Sequence, residues 1–286
     1  MNGRTTFLAL SLALASLHAQ QTLPLEPSHN VGQSITGAFE GWFPNKDGSF
    51  SLLLGYFNRN LREEMDIPIG PNNHIDPSGP DYGQPTHFLP GRMWGEFVIK
   101  VPKDFGDKKL TWTITANGKT TTIPMYLMTD WEVAPFLDGA GDTPPYLSFS
   151  ESGPFINGPL GQSMSATATV GSPLTLKLWV ADDASVVAGA NRPRTPPATI
   201  FWSKMRGAGK VTFAKDRPAV EPADFKAPVD QFKGTATTTA TFSDPGEYTL
   251  RVVANDWTRD GGGGFQCCWT NATVKVTVKG SSTGGR

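Results

Sequence analysis

Apolar and polar residues alternate along much of this chain with a period of two, the signature of strands buried on one face. Across 49–57, Phe50, Leu52, Leu54 and Tyr56 share a face, and segment 35–42 precedes them across Asn45-Lys46-Asp47-Gly48. Period and turn chemistry together predict a hairpin. Gly95, Phe97, Ile99 and Val101 form the next inward row, and Leu110, Trp112 and Ile114 another. Asn117-Gly118 then predicts a type I′ turn into 119–126, because both central positions need positive φ. In the second half Leu174, Leu176, Leu178 and Val180 alternate with Thr175, Lys177 and Trp179. Segments 165–170, 198–205, 211–214, 235–242, 247–255 and 270–279 complete seven strands there. No apolar 3.6-residue period runs for ten residues, so helix is expected only as a turn near 61–65.

Composition agrees: 31 glycines and 24 prolines in 286 residues suit short strands and many turns. Arg4, the apolar run from Phe7 to Leu14 and the small residues up to Ala19 form a secretory signal, with cleavage expected after Ala19 and an earlier site at 13–16 as the alternative. The run is too short to span a bilayer, so no membrane insertion is expected after signal removal. Roughly 265 residues remain, which suits two domains. The expected division is 1–19 signal peptide, 20–33 lead-in, 34–133 first β-sandwich, 134–160 Gly/Pro-rich linker, 161–280 second β-sandwich and 281–286 tail. A formal net charge of −1 gives no general attraction to nucleic acid or anionic membrane, and neither is an expected partner.

Phe201-Trp202-Ser203-Lys204, Gly207 to Phe213, Phe242 to Leu250 and Ala254-Asn255-Asp256 resemble the PKD and cadherin-like repeats of exported proteins, over roughly 163–279. The residues give the likeness a physical reading. Pro245-Gly246 turns the chain ahead of Tyr248, which occupies a tyrosine-corner position, and Trp202 on the third strand would fill the space between sheets. The first half, with Gly55 to Asn60 and Gly70 to Asn73, is similar to a domain of uncharacterised exported bacterial proteins. The expected fold class is all-β: two tandem immunoglobulin-like antiparallel β-sandwich domains. The resemblance implies binding or scaffolding more than chemistry.

Chemistry could sit in few places. Cys267 and Cys268 are adjacent and, in an exported protein, could close a vicinal disulfide; free thiols, an intermolecular bridge or soft-metal binding are the alternatives. Their loop belongs to the sandwich end that would also gather Asp182, Asp183, Asn255, Asp256 and Asp260, hard oxygen ligands of the kind that hold calcium between cadherin-type repeats; otherwise they cap turns and solvate a surface. Trp257, Phe265 and Trp269 lie around the same tip and could stack on sugars or anchor an interface, or equally pack inside. Segment 66–92 holds six prolines with His74, His87, Asp76 and Asp81; it fits a stiffened cover over a sheet edge better than a metal site. Glu63 and Glu64 are the one imaginable glycosidase pair, but neighbours point different ways. Nucleophile elbows, zincin helices and phosphate loops are missing. Asn271-Ala272-Thr273 fits a glycosylation sequon without expected use in a bacterial protein.

The functional expectation is an exported, periplasmic or extracellular, non-catalytic module. It would serve adhesion or recognition of a protein or polysaccharide through loop tips. A structural subunit or spacer of an envelope assembly is the alternative, and a secreted hydrolase acting on glycans a third reading. No cofactor is expected other than calcium at the acidic tip.

Overall fold

The computed structural model describes residues 29–77, 79–139, 141–186, 191, 194–257 and 267–281. The expected signal peptide, most of the lead-in and nearly all of the tail lie outside the described residues. Within them the protein is all-β, and the only helical element among the described residues is a 3-10 turn, Thr129–Trp131. The turn expected near 61–65 is absent there: Asn58 and Asn60 hold that corner instead, Asn58 Nδ2 donating to Glu63 O at 2.8 Å.

The first sandwich packs two three-stranded sheets. One contains β1 (Ile35–Pro44), β2 (Phe50–Asn58) and β6 (Gly91–Val101) in the order β1-β2-β6. The other contains β4 (Asn73–Asp76), β7 (Leu110–Ala116) and β8 (Lys119–Met125) in the order β4-β7-β8. These are the A-B-E and C-F-G halves of an immunoglobulin-type sandwich with one edge strand missing. The inward rows meet as predicted: Leu52, Leu54, Tyr56, Phe97, Ile99, Leu110, Trp112 and Ile114 form one buried cluster. The β7–β8 turn has φ of 49° at Asn117 and 74° at Gly118, as a type I′ turn requires.

Segment 66–92 corrects the expected cover. It supplies β4, a strand of the C-F-G sheet, together with a short ribbon of β3 (Met65–Asp66) and β5 (His87–Phe88). Asn73 organises it, its side chain donating to Ile67 O and Pro85 O and accepting from Trp112 Nε1 at 2.9 Å.

The second sandwich contains β9 (Tyr146–Ser148), β10 (Ser163–Thr169), β11 (Leu174–Asp182), β12 (Thr199–Arg206), β13 (Val211–Phe213), β14 (Glu221–Pro222), β15 (Phe232–Phe242), β16 (Gly246–Asn255) and β17 (Trp269–Lys279). Its sheets run β13-β15-β11-β9 and β10-β17-β16-β12. With β9 and β10 as two halves of a first strand, these are the A-B-E-D and C-F-G sheets of the immunoglobulin fold. β10 runs parallel to β17, a departure from the expected antiparallel pairing. β9 lies inside the segment read as linker; three residues among Pro, Gly and Ser carried no visible period. Trp202 is buried in the core, and Tyr248 Oη donates to Asp244 O at 2.9 Å, a tyrosine corner.

The two sandwiches meet face to face. Phe43 and Leu53, out of phase with their strands' inward rows, pack against Val253 and Trp269 of the second sandwich in a separate buried cluster. Arg251, 2% exposed, spans the contact: it pairs with Glu96 at 3.1 Å and donates to Asn271 Oδ1 at 2.7 Å. Asn271 Nδ2 in turn donates to Gly95 O at 2.6 Å.

Candidate functional site

The acidic tip lies at one end of the second sandwich. Period two puts Asp182 in phase with Leu176, Leu178 and Val180, and Asp256 in phase with Leu250, Val252 and Ala254. These rows belong to opposite sheets, so the two carboxylates end the inward rows at the mouth of the sandwich. Asp142 approaches from the segment leading into β9. A turn positions it: its N–H donates to Asp138 Oδ1 at 2.9 Å, and Asp138 N–H donates to Asp142 O at 3.0 Å. Oxygens of Asp142 and Asp256 and the sulfur of Cys268 all lie within 4.8 Å of one another.

Asp182 Oδ1 accepts from Ala184 N at 2.7 Å. Asp183 accepts from Thr143 N and Oγ1 at 3.2 and 2.8 Å and from Ser185 N at 3.0 Å. Asp142 Oδ1 and Asp182 Oδ2, by contrast, are buried without a hydrogen-bond partner. Burial, reinforced by the charge and hydrogen bond of Asp256 and by Asp183, pushes the Asp142 carboxyl up to about 9. Burial raises Asp182 to about 7, the Ala184 N–H opposing it and Asp256 and Asp183 adding to it. Asp183 is also partly buried, but its hydrogen bonds from Thr143 and Ser185 outweigh burial and hold it below the usual carboxylate range. The tip is therefore a concentration of acceptors in a low-dielectric setting.

Cys267 and Cys268 are joined as a vicinal disulfide, both buried. Cys268 Sγ lies 3.5 Å from Asp142 O. A disulfide sulfur carries no thiolate charge and is a poor metal ligand, so Asp142 and Asp256 are the only oxygen donors of that group.

Of the other sequence-derived candidates, Asp260 and Phe265 lie outside the described residues. Trp257 is half-buried at the tip and its Nε1 donates to Thr195 O at 3.1 Å. Trp269 is not presented on the tip. It opens β17, is fully buried, and lies against Gly95 at the contact between sandwiches. The Asn271 side chain is engaged in that same contact and is inaccessible as a sequon. Glu63 and Glu64 turn to separate partners: Glu63 accepts from Gly32 N at 2.7 Å, and Glu64 reaches His87 at 3.4 Å. His74 pairs with Asp76, and His87 with Asp66 at 2.9 Å; neither gathers a ligand set.

Asp142 was missed from sequence because it stands in the presumed linker, although Gly139 and Gly141 between two carboxylates are turn-type residues. A second place of interest is a cleft of about 450 Å³ between the sandwiches, lined by Glu64, Asp66, His87, Trp202 and Lys204 among others. There Lys204 Nζ, itself buried, pairs with Asp66 at 3.0 Å and donates to Gly209 O at 3.1 Å. The Arg206–Asp81 pair at 2.7 Å adds a further link between the halves.

No family model matches the chain, and no curated protein matches it. Among solved structures, domains 4 and 5 of the S-layer protein SbsC are similar at 12% identity and a TM-score of 0.23, covering 86% of this chain and 98% of that one. A protein of unknown function from Porphyromonas gingivalis W83 is similar at 12% identity and a TM-score of 0.24, covering 86% and 100%. The cadherin-like domains 1 to 4 of zebrafish RET are similar at 14% identity and a TM-score of 0.21, covering 77% and 46%. Similarity at these scores assigns neither fold nor function, and the topology above stands on the strand pairing of this chain.

Proposed function

We propose that this chain is an exported, non-catalytic binding or structural module whose two sandwiches act as one stiff body. The face-to-face contact supports this reading: Phe43, Leu53, Val253 and Trp269 are buried between the halves, and the Glu96–Arg251–Asn271 chain beside them ties both to Gly95. A unit built this way holds the loops of its second sandwich at a constant angle to its first, which suits a spacer and pre-orients binding loops. Recognition would use the tip carrying Trp257, with a protein or polysaccharide as partner. No described helix is long and apolar enough to cross a membrane.

The test uses the chain from residue 20 onward, immobilised and presented with a panel of polysaccharides and with envelope extract of its native host. Polysaccharide retention that is weakened by Trp257→Ala supports recognition. A stable co-purifying envelope protein supports the structural alternative. Time-dependent release of sugars from any of the polysaccharides overturns the non-catalytic reading.

A further inference from the structure

We propose that the outer edge of β10 is a docking surface for a second copy of this chain, the two β10 strands pairing antiparallel about a twofold axis through Ala166. The proposal goes beyond the module reading and stands whether that module adheres or spaces.

β10 is the end strand of its sheet, and among the described residues it pairs with β17 on one side and with no strand on the other. The parallel ladder fixes which backbone groups are engaged. Thr273 N donates to Gln162 O at 2.7 Å and Val170 N to Lys279 O at 2.9 Å, so the even-numbered residues between them bond to β17. The N–H and C=O groups of Ser163, Ser165, Thr167 and Thr169 therefore point away from β17. An open row of this kind is a template for another strand. The other edges of the principal sheets are blunted: β1, β4, β6, β8 and β12 carry a charged residue or a proline, and β9 and β13 span three residues each. β10 runs for seven residues, Ser-Met-Ser-Ala-Thr-Ala-Thr, without a charge, a proline or a bulge.

The phase of the ladder points to the occupant. Two antiparallel strands exchange bonds only where residues with outward groups stand opposite each other. Two copies of β10 meet this condition with Ser163 opposite Thr169 and Ser165 opposite Thr167, which leaves Ala166 facing its own twin in a non-hydrogen-bonded pair. Sliding the copies by two residues keeps the phase but shortens the ladder. In the full register the exposed face sets hydroxyl against hydroxyl, and the core-side face sets Met164 against Ala168 and Ala166 against Ala166. Met164 and Ala166 are only partly buried against the core of the second sandwich, so an added strand would cover apolar surface that the lone chain leaves open. No like charges meet within the paired strands, and the surface is complementary to itself, as a twofold interface requires.

Sedimentation velocity of the chain from residue 20 onward, over a dilution series from the micromolar to the submillimolar range, should show a monomer converting to a species of twice its mass. Thr167→Pro deletes one outward N–H without touching the bonds to β17, and should leave a monomer at every concentration with the parent's circular-dichroism spectrum. Ala166→Cys puts two sulfurs across the axis at a Cα separation of about 4.5 Å and should crosslink the pair under mild oxidation, while Ser165→Cys, beyond disulfide reach of its twin, should not. If Thr167→Pro disturbs the fold, the two cysteine variants decide by themselves. A parent that stays monomeric throughout overturns the proposal. So does a dimer that survives a folded Thr167→Pro, which places the contact on another face, or one that crosslinks at 165 in preference to 166, which breaks the register.

Discussion

Gly95 shows how much a single position can carry. Its φ of 50° is left-handed, and a Cβ there would lie 2.2 Å from Trp269 Cζ2. Its N–H donates to Glu40 Oε2 at 2.7 Å, while its carbonyl accepts from Asn271. No side chain fits without moving the second sandwich. Gly95→Ala should therefore lower stability by about 2–4 kcal/mol, the sum of overpacking and left-handed strain, measured by urea unfolding; a change under about 0.5 kcal/mol would mean the contact is loose. From sequence Gly95 is one more member of an inward row, because the pattern shows which residues leave water but not which second surface they meet. Between a tip and an interior position for Trp269 the sequence left the choice open for the same reason, and the structure takes the interior one. Trp269 is out of phase with Ala272, Val274 and Val276, so a lone sandwich would expose it, and only the first sandwich's face buries it. Trp202 and Tyr248 were legible because their roles are internal to one sandwich.

At the scale of elements, the long strands were legible and the short ones were not. β3, β4, β5 and β9 span two to four residues, too few for a period, and their hydrogen-bond partners are distant in sequence. The off-phase Leu53 within Leu52-Leu53-Leu54 was the available sign that β2 is covered on both faces. β5 also makes the contact between sandwiches sensitive to acid. His87 faces Asp66 and Glu64 of the neighbouring segment and Lys204 of β12, with Lys210 and Asp216 farther along the cleft. Burial first, then the Lys204 charge, hold its imidazole below the usual histidine range against the pull of Asp66 and Glu64. Below about pH 6.5 the unfolded chain takes up a proton there that the folded chain resists, so this stabilisation is full above that range and drains away as pH falls. Between pH 7.5 and 5.5, Tm should fall more steeply for the parent than for His87→Gln; parallel profiles would remove His87 from the account.

For the molecule as a whole, the order of layers is the C-F-G sheet of the first sandwich, its A-B-E sheet, then the C-F-G and A-B-E-D sheets of the second. Reading the chain as two sandwiches in tandem captured the layers but not their stacking, since a face contact between sheets far apart in sequence leaves no local period. A shared buried face should couple the halves. Scanning calorimetry of the parent should give one cooperative transition, and Leu53→Asp, which buries an unpaired charge in the contact, should split it in two. Two well-separated transitions in the parent would show that the halves melt independently.

The parallel pairing of β10 with β17 bears on mechanics. Ser163 pairs with Thr273 and Thr169 with Lys279, so tension entering at Ser163 and leaving at Lys279 runs along both strands in opposite senses. The rungs between them are then strained together in shear instead of unzipping one at a time, so the domain should resist a pull applied at those two ends more than one applied across the sheet.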